Sequence, residues 1–344
     1  MMAARVFRGS LPPVQLARGP LAVCRPRLGS KTFGRPLSDH DQEYSSIVHF
    51  PLRSPSQLRK YTTIGAKSSE KEKISLTGPE ELLMGTLFLR AHDSRAAKPI
   101  LGDHYAQQVL DRCDIDTDRT HYPTGEPWVR ALNCRTKQLD DWCQDFLDRH
   151  GDNPVTVVHL ACGLDSRYWR VRKGSNVRWI DIDQPAVVEL RSRLISQPDG
   201  DYTLRTLPIT KPGWTSDFST DRPTLVIAEG LFMYLEPEEG RAIFQEVAEK
   251  FSEGEIMFDS QCSLSKFLTS WISVFRSSGS VFKWGTDNPH GEVEAAHPKL
   301  KLKDQKLWQD YVGTHPPLFG ELGTYVASWM PSFKWNLCLS RFRF

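Results

Sequence analysis

The sequence predicts an α/β protein built on a doubly wound, mostly parallel β-sheet, and three observations point to this fold class. The run Val155–Leu160 is apolar and β-branched, as in a strand that is buried on both faces. Gly163 follows it, where a tight turn can bring the backbone close to a ligand. A second apolar run, Val177–Ile182, ends at Asp183, twenty residues after the glycine. A glycine turn after the first strand and a carboxylate after the second are the pair with which such sheets bind a ribose.

Three helices are predicted before this sheet, and together they form a helical cover over residues 77–150. The first begins near Thr77, where Pro79 and two glutamates suit the first turn. The second covers Asp103–Arg112. The third covers Asn133–His150 and repeats apolar residues at the i, i+3, i+4 and i+7 spacing of a helix that faces a core.

Strands and helices alternate after the cover, which predicts parallel strands joined by right-handed crossovers. Beyond the first two strands, four more are predicted: Tyr202–Leu207, Thr224–Ala228, Glu255–Asp259 and a closing strand with alternating apolar residues, Phe333–Phe344. Helices are predicted after Asp183, over Glu236–Phe251 and over Ser263–Ser278. Phe282–Pro289 is predicted to be a turn-rich loop. Residues 262–298 therefore form an insertion in the alternating pattern.

Residues 1–73 are predicted to be a basic, mostly irregular arm. The first 38 residues contain seven arginines and lysines and no acidic residue before Asp39, which is the composition of a mitochondrial transit peptide. Five prolines in the same stretch would interrupt the amphipathic helix of such a peptide. A disordered basic tail and an extension upstream of the true start are the alternatives. The compartment is therefore predicted as either the cytoplasm or the mitochondrial matrix.

Composition argues against several classes of partner. The 344 residues are 39% hydrophobic and 25% charged, as in globular proteins. A net charge of +2 gives no reason to expect nucleic acid, and no apolar stretch approaches the roughly 18 residues needed to span a membrane. Seven cysteines, odd in number and without a Cys-x-x-Cys pair, indicate a reducing compartment with no disulfide framework and no metal site. The oligomeric state stays open.

The residues at the carboxyl ends of the predicted strands form an acidic set without lysine: Ala161–Asp165, Asp181, Asp183, Leu207–Thr210, Glu229–Tyr234 and Asp259. These ends converge on one crevice, where such sheets bind ligands. Neither the phosphate loop Gly-x-x-x-x-Gly-Lys-Ser/Thr nor the dinucleotide turn Gly-x-Gly-x-x-Gly is present. An acidic crevice without a phosphate cradle suits a nucleoside that carries positive charge and no phosphate. S-adenosylmethionine fits, because carboxylates attract its sulfonium and Asp183 can bind its ribose.

Several of these residues also have a purely structural interpretation. Asp183 alone could cap the helix that begins before Pro185, and Arg90 on the first helix could be a solvated surface charge. Glu229 ends an apolar strand, so its carboxylate needs either a ligand or backbone amides as partners. His159, inside the first strand, is interpreted as a core histidine whose hydrogen bonds are satisfied.

Three stretches, Leu160–Arg167, Ile182–Pro185 and Ala228–Leu235, resemble the signature motifs of the leucine carboxyl methyltransferase superfamily. Within it, the resemblance is to the branch of polyketide O-methyltransferases typified by the tetracenomycin methyltransferase. Three further stretches are similar to family motifs: Leu87–Ala91, Arg135–Trp142 and Phe282–Pro289. The resemblance implies a class I S-adenosylmethionine-dependent methyltransferase fold with a seven-stranded sheet, in which residues 74–344 form one methyltransferase domain.

The resemblance also implies which residues bind S-adenosylmethionine. Arg90 would pair with the methionine carboxylate, Gly163 would let the turn backbone lie against the cofactor, and Asp183 would accept the ribose hydroxyls. Glu229 would lie near the amino group and the sulfonium. The complete set of cofactor-binding candidates is Arg90, Gly163, Asp165, Asp183, Ile209 and Glu229.

Two positions depart from the family pattern. The family usually has an acidic residue after its third strand, near the adenine amine, whereas Pro208 stands at that place in Leu207–Thr210. Pro208 has no side-chain acceptor, so the backbone or Thr210 must recognise the adenine. Ala161 stands where a glycine is common. Both departures leave the sulfonium end of the site intact.

The implied reaction is an in-line displacement of the methyl group onto an acceptor oxygen, for which the protein mainly supplies alignment and desolvation. A carboxylate acceptor needs no general base, whereas a phenol or enol would be helped by one. The catalytic candidates are Tyr234 and His290. The structural alternative for Tyr234 is packing beneath the active-site loop, and the alternative for His290 is a polar loop position.

Four aromatic residues of the insertion suit a flat, apolar acceptor: Trp271, Phe275, Phe282 and Trp284. A structural core explains them about as well. The predicted function is O-methylation of a small, polyketide-like molecule at a hydroxyl or carboxyl group. Methylation of a protein's C-terminal carboxylate and a catalytically silent scaffold of the same fold are the two alternatives.

Overall fold

The computed structural model describes residues 71–74, 81–114, 126–269, 280–308, 310, 332 and 335–344. The basic arm with its transit-peptide candidate lies outside these residues, apart from its last three positions. The predicted helix start at Thr77, the aromatic residues Trp271 and Phe275, and the predicted beginning of the closing strand at Phe333 also lie outside them.

A helical cover precedes the sheet, as predicted. It consists of α1 (Glu81–Ser94), α2 (His104–Asp111) and α3 (Glu126–His150), together with two short parallel strands, β1 (Glu72–Lys73) and β2 (Cys113–Asp114). Asp103 caps α2, since its side chain accepts a hydrogen bond from the N–H of Ala106. α3 begins seven residues before the predicted start at Asn133. Pro127, a residue type that suits the first turn of a helix, marks this earlier start in the sequence.

The central sheet has seven strands: β3 (Val155–Leu160), β4 (Val177–Asp183), β5 (Tyr202–Thr206), β6 (Thr224–Ala228), β7 (Gly254–Ser260), β8 (Lys301–Lys306) and β9 (Cys338–Arg343). Their order is β5-β4-β3-β6-β7-β9-β8, and among the described strands of this sheet β9 alone runs opposite to the other six. The strand order reverses between β3 and β6, so the carboxyl ends of these strands open a crevice of the kind that binds ligands. The predicted doubly wound, mostly parallel seven-stranded sheet is confirmed.

The remaining helices connect these strands: α4 (Arg167–Arg170), α5 (Pro185–Leu194), α6 (Pro237–Lys250), α7 (Ser263–Thr269) and α8 (Pro289–Ala296), with a 3₁₀ turn at Phe232–Tyr234. The predicted helices after β4 and β6 are confirmed. No helix within the described ranges is long and apolar enough to cross a lipid bilayer.

β8 and α8 also differ from the sequence prediction. β8 reads Lys-Leu-Lys-Asp-Gln-Lys at one edge of the sheet, so it has no apolar alternation that a sequence pattern could detect. Lysines on an edge strand discourage pairing with another chain. α8 begins where the predicted loop ends, with Pro289 in its first turn and the Asn288 side chain accepting from the N–H of Gly291. The proline and the asparagine are both helix-start signals that the sequence contains.

Apolar layers cover both faces of the sheet, which explains the apolar, β-branched composition of β3. One layer packs sheet residues against α6, and its members include Val158, Ile182, Val226, Phe258, Ile243, Phe244 and Val247. The other packs the opposite face against α3, and its members include Val157, Trp179, Ile227, Met257, Leu139, Trp142 and Phe146. A third cluster joins α1 and α2 to Leu164 and α5, so the cover rests directly beside the turn that follows β3.

Candidate active site

The turn after β3 brings its backbone to the carboxyl edge of the sheet. Gly163 has a φ of +52°, in the left-handed region that favours glycine. A Cβ added to it would lie 2.7 Å from Cδ2 of Leu83 on α1. Both conformation and space therefore favour glycine here. Ala161 has a φ of +49°, which is strained for a residue with a Cβ, and this gives a physical meaning to the departure from the family's glycine.

Asp183 ends β4 and lies against this turn. Its Oδ2 accepts a 2.7 Å hydrogen bond from the N–H of Gly163, and its Oδ1 accepts one of 2.8 Å from the N–H of Gln184. Gln184 occupies the N-cap position of α5, so the alternative that Asp183 caps this helix is wrong. Burial raises the pKa of Asp183 above its ordinary value. Each oxygen keeps a second lone pair, which a ribose hydroxyl can use.

Arg90 is buried, so the alternative of a solvated surface charge is wrong. Its Nη1 donates to Asp103 at 2.9 Å and to Asp165 at 3.0 Å, and its Nη2 donates to the carbonyl of Leu164 at 3.0 Å. Nη1 of Arg170 donates to the same two carboxylates. Burial alone would raise the pKa of Asp165, but the surrounding arginines hold this pKa well below its usual range. Arg90 thus fastens the cover to the turn, and its pairing with a methionine carboxylate stays a prediction.

Glu229 follows β6 and is held by three side chains. Its Oε1 accepts from the hydroxyl of Thr136 at 2.7 Å and from Nε of Arg135 at 3.1 Å, and its Oε2 accepts from Nη2 of Arg167 at 2.5 Å. The described partners are therefore side chains, where the sequence suggested a ligand or backbone amides. Burial alone would raise the pKa of Glu229, but Arg135 and Arg167 hold this pKa at about 2. The carboxylate stays ionised at any ordinary pH.

Asp259 lies next to Glu229, in β7. Its Oδ2 accepts from Nη1 of Arg135 at 3.0 Å, and its Oδ1 accepts from the N–H of Gly230 at 2.6 Å. Burial raises the pKa of this carboxyl. Arg135 therefore bridges the carboxylates of two neighbouring strands.

His159 lies behind the turn and makes contacts with charged neighbours. Its Nε2 is 3.1 Å from Nη1 of Arg167, and its Nδ1 is 3.6 Å from Oδ1 of Asp181. The side chain is buried within the sheet. The prediction of a satisfied core histidine is confirmed.

Sequence reasoning found the carboxylates at and just after the strand ends but missed Asp103, Asp140 and most of the arginines that balance them. The charged side chains in and beside the crevice are Arg90, Arg135, Arg167, Arg170, Arg191, Asp103, Asp140, Asp165, Asp181, Asp183, Glu229 and Asp259. Among the residues that the structure describes, these five positive and seven negative groups leave a net charge of −2 when all are ionised. The arginines come from helices, not from strand ends. Two of these arginines, Arg167 and Arg170, lie three residues apart directly after the turn. This spacing places both on one face of a helix, and it is a signal that the sequence contains.

The expected adenine end of the site is apolar. Leu207 and Ile209 are partly buried and pack with Ala161 against the core. The N–H of Leu207 donates to the carbonyl of Asp183 at 3.4 Å, which places this segment beside the expected ribose position. The carbonyl of Pro208 accepts from the N–H of Lys211 at 2.9 Å. Ile209 therefore offers a surface for a flat ring, and its contact with the cofactor stays a prediction.

The two catalytic candidates lie in different elements. Tyr234 ends the 3₁₀ turn, and its ring meets that of Phe282 edge-on with centroids 5.4 Å apart. Burial raises the pKa of Tyr234, so its phenol is neutral at ordinary pH. His290 lies in the first turn of α8, and its Nδ1 is buried without a hydrogen-bond partner among the described residues. An unpaired buried ring nitrogen is a group that a ligand or water could satisfy.

The two described aromatic residues of the insertion contribute to the core. Trp284 packs so closely on α6 that a Cβ at Gly240 would lie 1.9 Å from its ring. Its Nε1 donates to Glu292 at 3.1 Å, and the ring lines a cavity of about 20 Å³ that has room for little more than one water. Phe282 is likewise buried. For these two residues the packing supports the structural alternative.

The crevice fits S-adenosylmethionine on three structural grounds. Gly163 carries no side chain, Asp183 keeps a lone pair on each oxygen, and the charged groups named above, all among the described residues, sum to −2 when ionised. Arg135 and Glu229 form an ion pair of 2.9 Å and offer groups of both signs for a charged amino-acid end. Such a site binds a cationic nucleoside by hydrogen bonds and by charge together.

Comparison with known proteins yields matches over most of the chain. The model of the leucine carboxyl methyltransferase family matches residues 83–248. The tetracenomycin polyketide synthesis O-methyltransferase of Streptomyces glaucescens is 38% identical over 234 residues, which are 68% of this chain and 84% of that protein. An S-adenosyl-L-methionine-dependent methyltransferase of Gibberella zeae is 35% identical over 280 residues, 76% of this chain and 93% of that protein. A solved S-adenosylmethionine-dependent methyltransferase from Mesorhizobium loti is 10% identical, with a TM-score of 0.41 over 61% of this chain and 98% of that chain.

Proposed function

The chain belongs to the leucine carboxyl methyltransferase family, and on that premise we propose that it methylates an oxygen atom of a small, polyketide-like molecule. It is an S-adenosylmethionine-dependent methyltransferase. The acceptor class is inferred from the relative in Streptomyces glaucescens, whose name assigns it to polyketide synthesis. The observation that carries the proposal is the Gly163–Asp183 contact of 2.7 Å at the edge of an anionic crevice.

Different residues of the crevice would bind different parts of the cofactor. Asp183 would take the ribose hydroxyls, and the backbone of the turn at Gly163 would lie against the nucleoside. Glu229 is ionised and fixed by Arg135 and Arg167, so it would face the cationic end without having to reorganise. The bound cofactor supplies a methyl group that its sulfonium has already activated for transfer.

The acceptor oxygen is proposed to arrive ionised, as a carboxylate or an acidic phenol. The pKa values of Glu229 and Asp165 lie below the ordinary range, so both carboxylates are weak bases. The pKa of Tyr234 is raised, so this phenol cannot be the base at neutral pH and would instead contact the acceptor. His290, with its unpaired Nδ1, is the remaining candidate base for an acceptor that arrives protonated.

The experiment is a transfer assay with methyl-labelled S-adenosylmethionine, offered in parallel to a small-metabolite extract and to a protein extract. Label should appear in the metabolite fraction. Treatment with mild alkali then separates the acceptors, because a methyl ester releases labelled methanol whereas an aryl methyl ether does not. Label in the protein fraction would favour the C-terminal carboxylate alternative. Binding of the cofactor without transfer to either extract would favour the silent scaffold.

The same assay is repeated with two glutamine variants, one at Glu229 in the crevice and one at Glu238 outside it as the matched control. Glu229→Gln should abolish most of the transfer, because it removes the fixed negative charge of the crevice. Glu238→Gln, on the exposed face of α6, should transfer at the wild-type rate. Equal rates for both variants would contradict the proposed site.

A further inference from the structure

Arg191 on α5 donates hydrogen bonds to the turn that follows β3. Its side chain is 2% exposed. Nη1 donates to the carbonyl of Gly163 at 2.9 Å and to the carbonyl of Asp165 at 2.7 Å. Nη2 donates to Oδ2 of Asp181 at 2.7 Å. One buried guanidinium thus satisfies two main-chain carbonyls of the turn, which would otherwise need other partners.

The peptide groups on both sides of Gly163 are fixed as a result. Its N–H donates to Asp183 and its carbonyl accepts from Arg191, and both partners belong to the β4–α5 unit. Gly163 has a φ of +52°, a conformation that a glycine can also leave at little cost. Two hydrogen bonds from opposite sides select this one conformation among those open to a glycine.

Asp181 in turn fixes the direction of Arg191. Its Oδ2 accepts from Arg191 and from the hydroxyl of Tyr202 at 2.8 Å, and its Oδ1 accepts from Nε1 of Trp179 at 2.7 Å. The carboxylate therefore cannot rotate freely. A planar guanidinium with several fixed donors can bind this carboxylate and two carbonyls together, whereas a lysine ammonium is a point charge on a flexible stem.

We propose that Arg191 is a positioning residue for S-adenosylmethionine, which acts on the cofactor through the backbone of Gly163–Asp165. The inference rests on the proposed function, in which the cofactor lies against this turn. Loss of Arg191 lets the turn relax, and the backbone that faces the nucleoside moves. Because S-adenosylmethionine and S-adenosylhomocysteine share the nucleoside, the affinities for both fall by the same factor.

The test measures Kd for both compounds by calorimetry in wild type and in Arg191→Met. The expected loss is at least about tenfold for each, as for other groups that orient the partners of a ligand. Arg193→Met is the matched control, since Arg193 lies on the same helix but forms half-exposed ion pairs with Glu189 and Glu72. Arg193→Met should bind like wild type.

Arg191→Met leaves the buried carboxylate of Asp181 without its arginine partner, which can prevent folding. Two further variants keep the test decisive in that case. Asp181→Asn with Arg191→Met removes both charges and should show the full loss of affinity. Arg191→Lys keeps the charge and at most part of the bonding, so its Kd should lie between those of wild type and the double variant. Folding is checked by circular dichroism and thermal unfolding.

The outcomes separate this inference from the proposed function. Folded Arg191 variants with wild-type Kd values overturn the positioning role and leave the proposed function standing. A wild-type chain that binds neither compound removes the proposed function and the inference together. A loss confined to S-adenosylmethionine would also overturn the inference, because it would place the effect at the sulfonium instead of at the turn.

Discussion

The backbone N–H of Gly163 donates a 2.7 Å hydrogen bond to Oδ2 of Asp183. This bond joins the end of β3 to the end of β4 beside the point where the strand order reverses. It orients one carboxylate oxygen toward the turn and leaves its second lone pair for a ligand. The tight turn and the acid proposed to bind the ribose are thereby linked through a single contact.

Replacing Gly163 by alanine should weaken S-adenosylmethionine binding by about tenfold or more, because a turn displaced by an ångström no longer fits the nucleoside. The new Cβ would lie 2.7 Å from Leu83, so the turn or α1 must shift. Gly151→Ala is the control, since Gly151 has a similar φ of +54° and nothing within 4 Å of its added Cβ. It should lose about 1 kcal/mol of stability and keep its affinity. Calorimetry and urea unfolding measure the two effects, and equal affinities in the two variants would contradict the assignment of the turn.

Replacing Ala161 by glycine should raise the free energy of unfolding by up to about 1 kcal/mol, because alanine is strained in the left-handed region. The strain at a φ of +49° exceeds the extra chain entropy that glycine loses on folding. Ala242→Gly, at an exposed position of α6, should instead lose about 1 kcal/mol. Urea unfolding of both variants checks the opposite signs. A destabilised Ala161→Gly would show that the left-handed conformation costs little here.

Glu229 should make stability depend on pH in the acid range. Its pKa is about 2 in the folded chain against an ordinary 4.5, so it stabilises the fold above pH 4.5 and loses this effect as the pH falls toward 2. The difference in unfolding free energy between wild type and Glu229→Gln should therefore shrink by about 1 kcal/mol between pH 6 and pH 4. Urea unfolding at both values measures it, with Glu238→Gln as the exposed control. A difference that stays constant or widens in acid would show that Arg135 and Arg167 do not stabilise the ionised form.

The sequence predicted the parallel part of the sheet well, because strands such as Val155–Leu160 are buried on both faces and show it in their composition. It missed β8, which lies at an edge and has a single apolar residue. The antiparallel insertion of β9 beside β7 also has no local signal, since pairing between distant segments depends on the whole fold.

The candidate site was predictable in part for a similar reason. Asp183 and Glu229 stand at strand ends, so the fold class alone brings them together. Arg135 comes from α3 and lies 94 positions before Glu229, and no spacing rule relates the two. The interpretation of Arg90 as a surface charge failed because its partner Asp165 is equally remote, 75 positions away. Long-range ion pairs appear only once the helices are packed.

The central claim is that Gly163 and Asp183 form the nucleoside end of an S-adenosylmethionine site, and a calorimetric titration of wild type and Asp183→Asn with this compound tests it most directly. Asp201→Asn serves as the control, because Asp201 lies in an exposed ion pair with Arg178 just before β5. We expect wild type and Asp201→Asn to bind with the same sub-millimolar Kd, whereas Asp183→Asn binds at least about tenfold more weakly, since it loses a charged acceptor of two hydroxyls. Wild-type affinity in a folded Asp183→Asn, or no binding by wild type, would contradict the account.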